Sequence, residues 1–158
     1  MSMEMLLGLG MGIMLLPVVI SILYYVFSSF GHMKALQALG YDKAWLAWIP
    51  FGVYFACADA VSGNDEKVML FGKFEIPAII FKMWWIIPIV IFFLVAAGSR
   101  IPLLHILNVA VRFVFLGYTY TKMYERIDGK TEQDSQLLGL LSGFIPLIAA
   151  VKFISIKR

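Results

Sequence analysis

The 158-residue chain is 61% hydrophobic and 15% charged, with a mean hydropathy of +0.87, against about 45–50% apolar and about 25% charged residues in a soluble domain. A chain this short exposes too much surface to hide that excess in one soluble core, and its single cysteine, Cys57, excludes a disulfide scaffold. The net charge of +3 is scattered over loop ends, without the clustered Lys/Arg face of a nucleic-acid footprint, and suits anionic headgroups instead. The expectation is an all-α integral membrane bundle, a single domain over residues 1–158, with the lipid bilayer as first partner, no nucleic acid and no cofactor.

The first apolar stretch, about residues 5–30, exceeds at 1.5 Å per residue the ~30 Å hydrocarbon core. Its start, Met1-Ser2-Met3-Glu4, has no Lys or Arg, and no small-residue cleavage site follows. That predicts an uncleaved helix with its N-terminus outside and its exit, Gly31 to Lys34, in the cytoplasm. Gly8 and Gly12 have the spacing that lets helix backbones approach; inside a spanning helix they are no phosphate loop. The second stretch, 44–61, contains Pro50 and Gly52, and at the lower edge of spanning length it either crosses as a short kinked helix or dips and returns. Trp45 and Trp48, three residues apart, share a face and read as anchors at the headgroup level.

A polar linker, residues 62–73, opens with the turn signal Ser62-Gly63-Asn64-Asp65. The third stretch, 76–98, carries the anchors Trp84 and Trp85, and Lys82 near its start, whose stem can reach the interface. Ser99-Arg100 predicts a tight hairpin into the fourth stretch, 101–124. A second polar linker, 122–136, precedes the fifth stretch, 137–156, where Gly139 and Gly143 repeat the packing spacing. Leaving out Lys82 and Arg112, five crossings put six basic residues in the cytoplasm against five outside. A re-entrant second stretch and four crossings change that to seven against four, which the positive-inside rule mildly prefers.

The run Lys34-Ala35-Leu36-Gln37-Ala38-Leu39-Gly40-Tyr41-Asp42-Lys43-Ala44-Trp45-Leu46-Ala47-Trp48-Ile49-Pro50, with Trp84-Trp85-Ile86-Ile87-Pro88 further on, resembles the signature of a family of small bacterial multi-pass membrane proteins. The likeness spans roughly residues 20–95. It implies a helical membrane fold and a cell-membrane location, without a defined activity. Taken by itself, the motif fixes how a helix starts at the interface.

Ionisable residues inside apolar stretches are the informative exceptions, because a mid-bilayer charge costs about 2.5–3.5 kcal/mol on insertion scales. His105, Asn108 and Arg112 fall on one helical face of the fourth stretch, with Thr119 two turns on. Three readings stand: a seam inside the bundle with Asp59, Glu75 or Lys82 as charge partners, a contact to another chain, or a ligand or ion path. Two separated histidines and a lone cysteine offer no metal or thiol site, and no nucleophile and base are spaced for catalysis, so no enzyme is expected. The leading expectation is an accessory subunit that associates with a membrane protein partner or as a homo-oligomer. The alternative is a small oligomeric transporter or channel with a polar path through the fourth helix.

Overall fold

In a computed structural model, residues 3–98 and 101–156 are described, with side-chain surroundings from Leu15 onward. The chain is mostly helical. Helix α1 spans Met3–Ala38. A 3-10 turn at Ala44–Trp48 leads into α2, Gly52–Ser62. Strands β1, Lys67–Leu70, and β2, Phe74–Pro77, precede α3, Ala78–Lys82, and α4, Ile86–Ala96. Helices α5, Pro102–Asp128, α6, Glu132–Phe144, and α7, Pro146–Ile154, complete the fold. Two helices, over Leu15–Ala38 and Pro102–Asp128, are long and apolar enough to cross a membrane.

Local chemistry sets these boundaries. Helix α1 runs past its expected end near residue 30 because Gly31, Ala35 and Leu36 are buried rather than looped out. Gly40, at φ 72°, then turns the chain. Pro102 and Pro146 start α5 and α7, where a missing N–H costs nothing. Gly129, at φ 66°, ends α5 in the left-handed conformation that favours glycine. Thr131 caps α6 by accepting from the Asp134 N–H at 3.2 Å, with Glu132 and Asp134 against the positive end of the helix.

The all-α expectation is corrected in the linker 62–73 and just beyond it. Lys67 to Pro77 form an antiparallel hairpin pairing Val68 with Ile76 and Leu70 with Phe74, closed by Phe71 and Gly72 at positive φ. Its register sets Lys67 diagonal to Glu75, and their charges meet at 2.6 Å. The third stretch is therefore broken into β2, α3 and α4, since Ile76 and Pro77 belong to the strand.

The path of the chain shows which segments turn back. After α1, the Tyr25 hydroxyl donates to the Trp48 carbonyl, which places residue 48 well up along α1. Helix α2 then comes back down, and Arg126 near the end of α5 donates to the Ala60 and Val61 carbonyls at 2.8 and 2.7 Å. Residues 44–62 are thus a helical hairpin with its corner at Pro50-Phe51. The fifth stretch behaves alike. Helix α6 starts with Glu132 2.7 Å from Lys122 and climbs against α5 until Gly143 faces Gly117. Helix α7 returns, so that Lys152 pairs with Asp128 at 2.9 Å and the Lys34 ammonium donates to the Ile154 carbonyl at 2.7 Å. The break falls at Ile145-Pro146, because a proline inside a helix removes a hydrogen bond and clashes with the preceding turn.

Consequently the core is one-ended. Leu116 to Thr121, Met123 and Tyr124 of α5 are buried with Ala35, Leu36, Phe81 and Phe153. The other halves are bare: α1 exposes apolar side chains on all sides from Leu15 to Phe27, and α5 exposes Leu103, Ile106, Leu107 and Val109.

Candidate functional site

Both hairpin corners reach one cavity of about 280 Å³ beside α1. Pro50 and Phe51 come from the first corner and Pro146 from the second, and the opposite wall carries Tyr24, Ser28, His32 and Tyr120. Helices α2 and α7 both begin here, neither with a side-chain cap, and the 3-10 turn and α6 end at the same corners. Phe51, at φ 65°, stands in the left-handed region, a costly angle for a bulky residue that tertiary packing must hold.

The wall of the cavity is hydrogen-bonded in a fixed sense. His32 Nδ1 lies 2.7 Å from the Ser28 carbonyl oxygen, which can only accept, so Nδ1 carries the proton. Nε2 then accepts from the Tyr120 hydroxyl at 2.9 Å. The neutral imidazole packs edge-on against Phe153, with ring centroids 5.3 Å apart. Below it the Tyr124 hydroxyl meets Ser142 Oγ at 2.7 Å. Sequence reasoning placed His32 in the loop after the first helix and missed this group. The available signal was Ser28 and His32 at i and i+4, with Tyr120 and Tyr124 on one face of α5.

An aromatic groove of about 440 Å³ adjoins the cavity, sharing Phe51 and Tyr54 with it. Asn108 and Arg112 of α5 line it together with Trp84, Trp85, Phe92 and Phe93. The four residues expected as one seam are thus divided. Thr119 is buried and donates to the Phe115 carbonyl at 2.7 Å, whereas His105 and Arg112 are exposed and Asn108 is half-buried in the groove.

The expected charge partners of Arg112 are engaged elsewhere. Asp59 meets Lys82 at 2.6 Å and accepts from the Tyr41 hydroxyl at 2.7 Å, and Glu75 pairs with Lys67. Lys82 does not simply snorkel, since it also donates to the Gly63 carbonyl at 3.0 Å. Burial alone would lift the Asp59 carboxyl, but hydrogen bonds from Lys82 and Tyr41 outweigh it and hold the group below its ordinary value. Burial, followed by the bond to Asp59, pushes the Tyr41 hydroxyl well above the usual tyrosine range.

Of the four tryptophans read as anchors, Trp45 and Trp48 are exposed, while Trp84 is only 2% exposed and Trp85 is half-buried. Trp84 stacks on Phe115 at 5.7 Å and Trp85 on Phe51 at 6.0 Å, so they are packing residues rather than an interfacial belt. Gly139 and Gly143 lie where α6 crosses α5: a Cβ on Gly139 would fall on Thr121, and one on Gly143 would come within 2.6 Å of the Gly117 nitrogen. The surroundings of Gly8 and Gly12 lie outside the described residues. Among the described residues, no group of three or more His, Cys, Asp or Glu gathers to hold a metal ion. No family model, curated protein or solved structure matches the chain.

Proposed function

We propose that the chain is a small transporter or channel of a bacterial cell membrane, passing small anions through the cavity where its two hairpins meet. In this arrangement α1, the broken pair α3–α4 and α5 cross the bilayer, while residues 44–62 and 132–154 dip in and return from one side. That is fewer crossings than the four or five read from hydropathy, because a proline corner turns the fifth stretch back. Lys34, Lys43, Lys67, Lys73, Lys122, Arg126, Lys130 and Lys152 then share a side, which the positive-inside rule makes cytoplasmic, leaving the N-terminus outside. The resemblance of residues 34–50 to a multi-pass bacterial family supports the same location.

The observation that carries the proposal is the convergence of Pro50-Phe51 and Pro146 on the cavity beside His32. Non-helical backbone is tolerated at membrane depth where it lines a cavity, and transporters use discontinuous helices whose N-terminal ends face anionic groups. Among the described residues no carboxylate lines this cavity, which suits an anion. Proteoliposomes loaded with a halide-quenched dye test it, with chloride and bromide as probes. Influx above protein-free liposomes is expected, and Ser28→Phe, which fills the cavity while leaving the Ser28 carbonyl in place, should abolish it. Wild-type influx no faster than that of empty liposomes for both anions overturns the proposal.

A second reading, an accessory subunit bound to a partner or to another copy, is favoured by the bare halves of α1 and α5. Recovery of a stoichiometric partner in gentle detergent, together with no flux in liposomes, would select it.

A further inference from the structure

We propose that the groove between α4 and α5 binds a single-chain anionic amphiphile, a carboxylate on an apolar tail, taken laterally from the bilayer. Five polar groups line this aromatic surface, the Arg112 guanidinium, the Asn108 amide, the Tyr54 hydroxyl and the indoles of Trp84 and Trp85, and among the described residues none has a hydrogen-bond partner. Both indole nitrogens lie beneath the lining, without solvent access, so the polar groups a ligand meets in the groove are those of Arg112, Asn108 and Tyr54. The guanidinium can only donate, and the amide and hydroxyl beside it can each donate as well. The missing group is therefore an acceptor, and beside a cation with no ion pair it is an anion.

A carboxylate fits best. Its two oxygens match the planar fork of Arg112, which a point acceptor does not. Asn108, one turn away at i−4, is on the same face of α5. The rest of the lining, including Pro88, Ile89, Phe92 and Phe93, suits an alkyl chain. A volume of about 440 Å³ lies in the range of about 300–1,000 Å³ that holds one modest ligand, room for one chain rather than a diacyl lipid. Position argues the same way. Arg112 is ~15 Å along α5 from Pro102 at 1.5 Å per residue, near the middle of a ~30 Å core. A phospholipid headgroup stays at the surface, whereas the compact head of a single-chain acid can follow its tail into the groove and be neutralised there by Arg112. Unmet donors at that depth are costly, and an acceptor held there removes the cost.

The inference depends on residence in the bilayer but not on transport. Trp45 and Trp48 are changed to Phe so that Trp84 and Trp85 supply the fluorescence, and the protein is placed in nanodiscs of neutral phosphatidylcholine. Dibromostearic acid and its methyl ester are titrated as quenchers. Saturable quenching is expected, about tenfold tighter for the acid than for the ester. Arg112→Gln should erase that preference, and Asn108→Leu should weaken it, which also serves if Arg112→Gln does not fold. Quenching that never saturates, or that is equal for acid and ester, overturns the proposal, as does an acid preference unchanged in both variants. Release of the protein from membranes by an alkaline wash would instead refute membrane residence itself.

Discussion

The contact between α5 and α6 gives the sharpest test of the packing, because two of its glycines predict opposite outcomes for the same substitution. In Gly139→Ala the new methyl falls on Thr121 Oγ1 and lies within 2.5 and 2.6 Å of the Thr121 nitrogen and Cα. Real Cβ atoms do not approach backbone so closely, so one helix must move. Overpacking costs about 1–3 kcal/mol, and the upper end applies when the obstacle is main chain. Replacing glycine by alanine inside a helix returns about 1 kcal/mol of propensity, leaving a net loss of about 2 kcal/mol. For a chain of this size that is a fall of about 4–8 °C in melting temperature. In Gly117→Ala the new methyl meets the Leu140 Cδ2 atom at 2.9 Å, with the next atom at 3.4 Å. A leucine tip can swing aside, so the propensity term dominates and the melting temperature holds or rises. Thermal unfolding followed by circular dichroism in detergent measures both. Equal losses, or a Gly117→Ala protein less stable than Gly139→Ala, would refute the geometry of this crossing.

Two other predictions concern the polar groups. Tyr120→Phe removes the hydroxyl that donates to the buried His32 Nε2 and should cost about 1–3 kcal/mol. Added to His32→Leu the loss should fall well short of the sum of the two single losses, and strict additivity in the double-mutant cycle would deny the bond. Because Asp59 is held below its ordinary value of 3.8 in the folded protein, its ionised form stabilises the fold above that pH, and the contribution is lost as pH falls through the lower folded value. Melting curves of wild type and Asp59→Asn between pH 7 and pH 3 should therefore converge at the acid end. A constant gap across that range would contradict the Lys82–Asp59–Tyr41 cluster.

The residues announced the class of protein more readily than its path. Hydrophobic excess located the long helices over Leu15–Ala38 and Pro102–Asp128, which are long and apolar enough to cross a membrane, and the helical spacing of Asn108 and Arg112 put both on one face. Direction was invisible, because a hydropathy profile reads length and not reversal. Residues 137–156 are apolar enough for one spanning helix, yet Pro146 divides them and Lys152 returns to Asp128. The β-hairpin hid for a related reason: Phe71-Gly72 is a turn signal only once Val68, Leu70 and Ile76 are seen to face the core. Trp84 looked like an anchor because aromatic residues at a helix start serve either interface or core, and only the stack on Phe115 decides between them.

The same reversal explains why the two sites lie side by side. A corner that returns within the bundle must leave backbone at depth, and backbone there needs either water or side chains to meet its polar groups. At the first corner the Tyr25 hydroxyl takes up that role on the Trp48 carbonyl, and His32, Ser28 and Tyr120 bond among themselves beside it, which leaves a polar cavity among otherwise apolar helices. On the α4 side the first corner, Phe51, is met by the Trp85 ring, so the wall becomes aromatic and its indole N–H groups go unmet. Arg112 then sits where the packed half of α5 gives way to the bare half. Asp59 and Glu75 are engaged with Lys82 and Lys67, so neither is free to neutralise it. A charge so placed draws its counterion from outside the described fold, and the guanidinium, which can only donate, states what that counterion must be able to do.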